Sequence, residues 1–246
     1  MEDGKRKTEN GKRMKYHILG LFSEMLDNYF SQSLLGKARE KNIIAFSYHQ
    51  LRDWAVNKHH AVDDKPYGGG AGMVFLPEVV CNGVRDIKEK HNIDRVVLTS
   101  PSGKLLTPQK AKELSSLKSV LFLCGRYEGV DQRAIDLVVD EEISIGDYII
   151  SGGELATAVI IDAVSRYIPG VVGKDQSVRL ESHEEVLLEH PHYTRPEIFE
   201  GKKVPPVLTS GHHQKILEWQ KEMALERTKE RRPDLYEIWQ KYMNNK

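Results

Sequence analysis

Cysteine, long apolar runs and net charge are all scarce or missing in this chain of 246 residues. Its two cysteines, Cys81 and Cys124, match no metal-ligand spacing, and each lies within an apolar stretch, which predicts buried, reduced thiols. No apolar run approaches the length of a membrane span, and no signal peptide is visible. We therefore expect a cytoplasmic protein without a membrane partner.

The charges of the chain balance, because Lys+Arg and Asp+Glu are both 36. Net charge therefore gives no indication of an acidic partner such as RNA. Residues 202–246 carry ten Lys/Arg against six Asp/Glu. This modest basic excess could attract phosphates, although the solvated surface of a helix explains it as well.

Changes in pattern divide the chain into four parts. Residues 1–13 are polar and charged, which predicts a disordered extension. Strand-like and helix-like segments alternate through residues 14–170, which is typical of an α/β domain with a parallel sheet. Residues 171–186 are polar without clear periodicity and are interpreted as a flexible linker. Residues 187–246 are interpreted as a small, mostly helical second domain.

The predicted strands are short apolar runs, as expected for strands buried on both faces of a parallel sheet. They lie near residues 16–22, 43–48, 95–99, 120–124 and 142–145.

The predicted helices lie between and after these runs. Thr107 and Pro108 form a good helix opening, with a capping hydroxyl followed by proline at the first helical position. Residues 151–154 have the form of a capping box before an apolar helix. The remaining helical patterns cover residues 24–40, 76–91, a short stretch after Asp131, and about 211–230 and 233–243.

Three glycine-containing loops are candidates for a ligand site. Residues 62–72 hold four glycines in five positions, but their spacing matches neither the P-loop nor the dinucleotide fingerprint, and a flexible surface loop is the plain alternative. Residues 123–129 follow a strand, where open α/β sheets bind ligands, or form an ordinary strand-to-helix turn. Residues 144–154 flank an apolar-aromatic centre that suits an adenosine ring, or form a tight core turn. Together the three loops indicate a pocket.

Metal and nucleophile motifs are not apparent. The ten histidines include three close pairs, His59-His60, His190/His192 and His212-His213, but none has the spacing of a zinc site, and surface or capping roles are favoured. There is no Gly-x-Ser-x-Gly elbow, and neither cysteine has the polar setting of a nucleophile.

Seven sequence strings together resemble one known family. They are VDDKPYGGGAGM, LTSPSGK, LCGRYEGVDQR, EEISIGDYIISGGE, DAVSRYIPGVVG, PHYTRPE and VPPVLTSGHH. In this order they are similar to the bacterial tRNA (guanine-N1)-methyltransferases, from residue 14 to about residue 233. That family belongs to the SPOUT methyltransferases, in which a deep trefoil knot forms the cofactor pocket. Such knots are exceptions to the usual rules of chain topology, and periodicity does not reveal them.

The resemblance implies S-adenosylmethionine as cofactor, in a bent shape among three loops. It also implies an antiparallel homodimer with each active site shared between subunits. The substrate would be the guanine at position 37 of tRNA, beside the anticodon, usually when another guanine precedes it. By position, the cofactor-binding residues would be Leu98, Thr99, Ser100, Pro101, Gly125, Tyr127, Glu128, Gly129, Ile145, Gly146, Asp147, Tyr148, Ile149, Ile150, Gly152 and Gly153.

The resemblance also implies two catalytic roles. A carboxylate removes the proton from guanine N1, and a guanidinium stabilises the charge that develops on O6. The matching arginine is Arg166. The family's base is typically an aspartate in the linker, and the matching position here holds Glu181, with Asp175 as the nearest substitute. A structural ion pair for Arg166 and a solvated linker charge for Glu181 are the alternatives.

Further residues match positions that contact substrate or metal in the family. Asp63 and Gly72 match positions in the glycine-rich loop that the family uses near the tRNA and across the dimer, and Glu128 matches a carboxylate that is a candidate Mg²⁺ ligand. On the C-terminal helices, phosphate contacts are expected from Arg227, Lys229, Arg231 and Arg232.

Two other functions stay open at this stage. One is a SPOUT methyltransferase with another RNA specificity. The other is a non-catalytic RNA-binding protein, for which the replacement of aspartate by Glu181 is the one supporting feature.

Overall fold

The computed structural model describes residues 13–172 and 186–244. The chain divides into two compact units, residues 1–173 and 174–246. Most of the predicted extension 1–13 and of the predicted linker 171–186 lies outside the described residues. So do Glu181, the predicted base, and Asp175, its nearest substitute.

Five parallel strands form the central sheet of the first unit, in the order β2-β1-β6-β5-β7. The α/β class with a parallel sheet is therefore confirmed. A separate antiparallel pair, β3 and β4, lies in the same unit. The strands are β1 (Met14–Gly20), β2 (Ile44–Gln50), β3 (Asp63–Asp64), β4 (Val74–Phe75), β5 (Arg95–Leu105), β6 (Ser119–Cys124) and β7 (Glu141–Ser144).

Six α-helices accompany this sheet, with 3₁₀ turns at Ser23–Leu26 and Leu51–Trp54. The predicted cap at Thr107 is present, and a second side-chain cap is found at Asp131. The Thr107 hydroxyl accepts a hydrogen bond from the backbone N–H of Lys110 at 3.2 Å, and Asp131 accepts one from the N–H of Arg133 at 2.9 Å. The helices are α1 (Asp27–Phe30), α2 (Ser33–Glu40), α3 (Pro77–Lys90), α4 (Pro108–Ser115), α5 (Gln132–Val138) and α6 (Gly153–Ser165).

Both faces of the sheet are covered by apolar clusters. This explains why the sequences of its strands are apolar runs. On one face Tyr16, Ile18 and Phe122 are fully buried. On the other, Leu19 and Leu121 pack with residues of α3. Both cysteines are buried and free, as expected from their apolar surroundings.

Two helical predictions are wrong in detail. The helix expected over residues 24–40 is interrupted, because Ser33 adopts a left-handed backbone conformation with φ 54°. The capping box at 151–154 is absent, since α6 begins after Gly152 without a side-chain cap. The Glu154 side chain is 2% exposed and lies against Arg126 instead of reaching back to the helix start.

The second unit is described from residue 186 to residue 244. Leu188 N–H donates a hydrogen bond to the hydroxyl of Thr228, which is fully buried. None of the helices in residues 13–172 and 186–244 combines the length and apolar character needed to cross a bilayer. The elements of this unit are β8 (Ile198–Phe199), β9 (Lys202–Lys203), α7 (Pro206–Thr209), α8 (His213–Arg231) and α9 (Pro233–Asn244).

Candidate active site

Three chain segments meet where β6 ends, beside the middle of β5 and the start of α6. The Thr99 hydroxyl donates to the carbonyl of Gly153 at 3.3 Å, and Gly153 N–H donates to the carbonyl of Gly125 at 2.7 Å. A Cβ at position 153 would overlap the Thr99 hydroxyl and lie 2.8 Å from Gly125 N. Only glycine allows this approach, so the two predicted loops at 123–129 and 144–154 are joined through their backbones.

A cavity of about 530 Å³, here named the first cavity, opens beside this junction. Its size lies within the range of small-molecule sites. Every residue predicted to bind the cofactor lines it except Asp147, which is exposed. The lining combines backbone groups of the glycine turns with the apolar side chains of Leu98, Ile145 and Ile150. The cavity can therefore hold a ligand that is partly apolar and partly hydrogen-bonding.

Tyr127 has a strained backbone in the wall of the first cavity. Its φ is 58°, which a residue with a bulky side chain rarely adopts, and Gly129 follows at φ 119°. The Tyr127 ring packs edge-on against Phe75, with 5.7 Å between ring centroids. Such strain is often found at functional sites, and here it turns the loop back toward the cavity.

Behind this wall lies a buried ion pair that sequence reasoning missed. Arg126 Nε is 3.6 Å from Glu154 Oε1, and the Glu154 side chain is 2% exposed. The backbones of Arg126 and Gly152 form an antiparallel bridge, and the guanidinium lies 4.5 Å above the Phe22 ring. The half-buried guanidinium gives the buried Glu154 carboxylate an opposite charge, and the backbone bridge holds the second loop against the third.

The antiparallel pair β3–β4 is bonded to the same wall. Glu128 N–H donates to the carbonyl of Met73 at 2.9 Å, and Phe75 N–H donates to that of Gly129 at 3.0 Å. Gly72 packs directly on the Glu128 side chain. Asp63 lies at the base of the hairpin, opposite Phe75 in β4. The structure thus brings the glycine-rich loop to the rim of the first cavity.

Arg166 lies elsewhere, in a second cavity of about 580 Å³. It caps the carboxyl end of α6, and its N–H donates to the carbonyl of Asp162 at 3.3 Å. The Tyr29 hydroxyl donates to Asp162 Oδ2 at 2.5 Å, and this hydrogen bond raises the pKa of Tyr29 above its ordinary value. Arg166 therefore does not line the first cavity within one chain.

Exposed apolar side chains surround this second cavity. Met25, Tyr29 and Leu34 line it and are 54%, 53% and 40% exposed. Leu155 and Val159, on α6, are 57% and 48% exposed. A surface of this kind is typical of a site of protein association.

Comparison with known proteins identifies the family. The family model described as tRNA (Guanine-1)-methyltransferase TrmD matches residues 14–238. The chain belongs to this family.

Several relatives match almost from end to end, and each carries the name tRNA (guanine-N(1)-)-methyltransferase. One from Clostridioides difficile (strain 630) is 48% identical over 225 residues, which cover 91% of this chain and 97% of the relative. One from Shouchella clausii (strain KSM-K16) is 50% identical over 223 residues, covering 90% and 91%. One from Geobacter sp. (strain M21) is 47% identical over 222 residues, covering 90% and 89%.

The predicted phosphate contacts of the TrmD-like chain lie at the end of α8 and just after it. Arg227, Lys229 and Arg231 are within the helix, and Arg232 follows it. Arg232 donates two hydrogen bonds to the Asp234 carboxylate, at 2.9 and 2.5 Å. Part of its hydrogen-bonding capacity is therefore used within the chain, and its phosphate contact stays a prediction.

Among the histidines, the burial of His17 differs most from expectation. His17 is 1% exposed, so a surface or capping role is wrong for it. Its Nδ1 lies 3.0 Å from His49 Nε2, and its ring centroid lies 4.6 Å from that of His91. Burial, followed by the neighbouring histidines, lowers the pKa of His17 to about 4. The polar residue at 17 within an apolar strand was the available signal.

A second histidine cluster lies in the second unit. Ligand atoms of Glu189, His190 and His192 lie within 4.8 Å of one another. An ion pair between Glu189 and His192, at 3.0 Å, accounts for this proximity.

Proposed function

We propose that the chain transfers a methyl group from S-adenosylmethionine to N1 of the guanine at position 37 of tRNA. The observation that carries this proposal is the near-complete coverage of relatives named for guanine-N1 methylation. The first cavity supports it, because almost all residues expected to contact the methyl donor line that one space.

The first cavity fits such a donor in size and chemistry. Glycines at 125, 129, 146, 152 and 153 leave backbone groups accessible, and a Cβ at position 146 would overlap the Tyr148 ring. When bound, the donor would supply an activated methyl group on sulfur. The chain would hold its adenosine part among Ile145, Tyr148 and Ile150. We propose that the segments meeting at Thr99, Gly125 and Gly153 belong to a trefoil knot.

Arg166 and Glu181 would act on the guanine. N1 is a poor nucleophile while it keeps its proton, so the Glu181 carboxylate would remove that proton as the methyl group arrives. The negative charge then moves to O6, where the Arg166 guanidinium offers fixed hydrogen-bond donors.

A homodimer would join these groups to the donor. Arg166 lies in the second cavity with the exposed apolar side chains of Met25 and Leu34, and Leu155 and Val159 are exposed on the same helix α6 that Arg166 follows. Pairing of two chains through this surface would bury those side chains and let each active site draw on both subunits.

The helical domain at residues 187–246 would hold the tRNA. Arg227, Lys229 and Arg231 would contact phosphates of the anticodon stem, which sets affinity and salt dependence but not base choice. Glu128 is a candidate Mg²⁺ ligand beside the donor. Its carboxylate lines the first cavity, and other ligands would have to come from the bound molecules or from water.

Analysis of the product tests the proposal. A tRNA transcript is incubated with the protein and labelled S-adenosylmethionine, then digested to nucleosides and separated. We expect the label in 1-methylguanosine. Label in a ribose-methylated nucleoside or in another base would favour a SPOUT enzyme of different specificity. Donor and tRNA binding without transfer would favour a non-catalytic RNA-binding protein.

A further inference from the structure

The tip of the β3–β4 hairpin presents one aromatic side chain to solvent. Tyr67 is 98% exposed, compared with 50% for Tyr127 and 56% for Tyr148 in the wall of the first cavity. Burial of a tyrosine ring removes a large apolar area from water and stabilises a protein. A fully exposed ring contributes no such stabilisation to the fold. The folded unit by itself gives Tyr67 no structural role.

The backbone of the hairpin tip directs this ring outward. Gly69 N–H donates to the Pro66 carbonyl at 3.3 Å, and Gly68 has φ 85°, as the third residue of a type II turn requires. A Cβ placed on Gly68, Gly69 or Gly70 would meet nothing within 4 Å. The tip therefore stands clear of the rest of its unit.

The base of the same hairpin is fixed at the first cavity. Asp64 pairs with Val74 in the β3–β4 ladder. Beyond the ladder, the hydrogen bonds from Glu128 to Met73 and from Phe75 to Gly129 attach the hairpin to the cavity wall. The base of the hairpin is attached to the cavity wall and its tip is exposed. Tyr67 therefore lies where a large substrate would approach the donor.

Two cationic side chains belong to this region. The Arg133 guanidinium donates two hydrogen bonds to the Asp131 carboxylate, at 2.9 and 2.8 Å, and these raise its pKa first, with the Tyr67 phenol a smaller cause. Lys65 is exposed two residues before Tyr67. An exposed aromatic ring beside cations is the arrangement that binds unpaired nucleotides, since bases stack on the ring and phosphates meet the charges.

A protein partner fits this tip less well. Protein interfaces use contiguous apolar patches, whereas Tyr67 is followed by three glycines that add no side-chain area. A single planar base needs only one ring face.

We propose that Tyr67 is a stacking platform for an unpaired base of the RNA substrate, next to the first cavity. This inference rests on the proposed function and deepens it. The ring would hold an anticodon-loop base in place while the target guanine reaches the donor. Its contribution is through the face of the ring and not through the hydroxyl.

Three variants test the platform: Tyr67→Ala, Tyr67→Phe and Tyr67→Trp. Leu105→Ala serves as a matched control, because Leu105 is 58% exposed in the same unit and lines neither cavity. For each protein, kcat/KM for tRNA and the affinity for S-adenosylmethionine are measured. We expect Tyr67→Ala to lower kcat/KM for tRNA by about tenfold or more, the effect of losing one base stack. Tyr67→Phe, Tyr67→Trp and the control should stay within about twofold of the original protein, with donor affinity unchanged.

A binding measurement separates this inference from the proposed function. Anticodon stem-loops carrying 2-aminopurine at one position between 35 and 38 are titrated with each protein. Stacking on Tyr67 should quench the fluorescence at one position, and Tyr67→Ala should abolish the quenching while Tyr67→Phe keeps it. Unchanged quenching and unchanged kcat/KM in Tyr67→Ala, or an equal loss in Tyr67→Phe, would overturn the platform. Absence of methyl transfer by the original protein would instead overturn the proposed function.

Discussion

The backbone of Gly72 packs against the Glu128 carboxylate so closely that a Cβ at position 72 would overlap Oε1 and Cγ. Gly72 belongs to the glycine-rich loop, and Glu128 lines the first cavity. Two segments separated by more than fifty residues thus share one contact. A side chain added at position 72 would therefore displace Glu128 in the wall of the first cavity.

Gly72→Ala should weaken donor binding. The new methyl group displaces the Glu128 side chain, and φ 89° is unfavourable for alanine by roughly 1–2 kcal/mol. We expect calorimetry to show an affinity for S-adenosylmethionine lower by about tenfold. Gly69→Ala is the matched control, because its φ is 80° but its Cβ would meet nothing within 4 Å. An equal loss in both variants would mean that backbone strain alone is responsible.

Arg166→Ala should lower turnover sharply and leave donor affinity nearly unchanged. Arg166 lies in the second cavity, away from the expected donor contacts. Loss of a hydrogen-bond donor that stabilises developing charge lowers kcat by about 10²–10³-fold. Arg166→Lys keeps the charge but not the forked geometry, so only part of the rate should return. A marked fall in donor affinity in Arg166→Ala would show that the residue has a different role.

Glu181→Gln should abolish methyl transfer with donor binding intact. The amide cannot accept the N1 proton, and removal of a general base typically lowers the rate by about 10²–10⁴. Glu181→Asp should keep substantial activity, because it retains a carboxylate and places there the aspartate that the family resemblance implies. Asp175→Asn is the control. If Asp175→Asn were the inactive variant instead, the base would be Asp175.

The buried histidines should make stability fall in mild acid. Burial first, and then the coulombic effect of His91, lowers the pKa of His49 to about 4, and that of His17 is similarly low. Lys15 and Lys90 lower these pKa values further, whereas Asp86 and Asp53 raise that of His49.

The sign follows from proton binding. Both histidines have an ordinary pKa of about 6.5 when unfolded, so the unfolded chain binds more protons between about pH 6.5 and pH 4. Stability is therefore complete above pH 6.5 and decreases as the pH falls toward 4. Thermal melts at pH 7 and pH 5 should differ by about 5 °C or more. His17→Phe should reduce this difference, and His59→Gln, at an exposed position, should not.

The sheet and most helix starts were predictable because local rules governed them. The predicted run at 95–99 is the mostly buried first part of β5, the run at 120–124 lies within the fully buried β6, and Thr107 accepts the capping hydrogen bond that its position suggested. Two loops of the first cavity, at 123–129 and 144–154, were predicted from their glycines, and family resemblance implied the individual cofactor-binding residues. The convergence of the loops depends on the glycine contact at Gly153.

The structural features that the sequence did not reveal depend on tertiary contacts. Glu154 has the spacing of a capping residue, but the half-buried guanidinium of Arg126 offers it a charged partner within the fold. The left-handed Ser33 interrupts a helical pattern that propensity alone would continue. His17 is a polar residue within the apolar strand β1, and the sequence does not show its partners. The packing of β2 and α3 places His49 and His91 beside it.

Methyl transfer to two tRNA transcripts that differ only at position 37 is the most direct test of the central claim. With labelled S-adenosylmethionine, the transcript carrying guanine at position 37 should accept close to one methyl group per molecule, and the transcript carrying adenine there should accept almost none. Equal labelling of both transcripts would contradict the claim that this chain methylates that guanine.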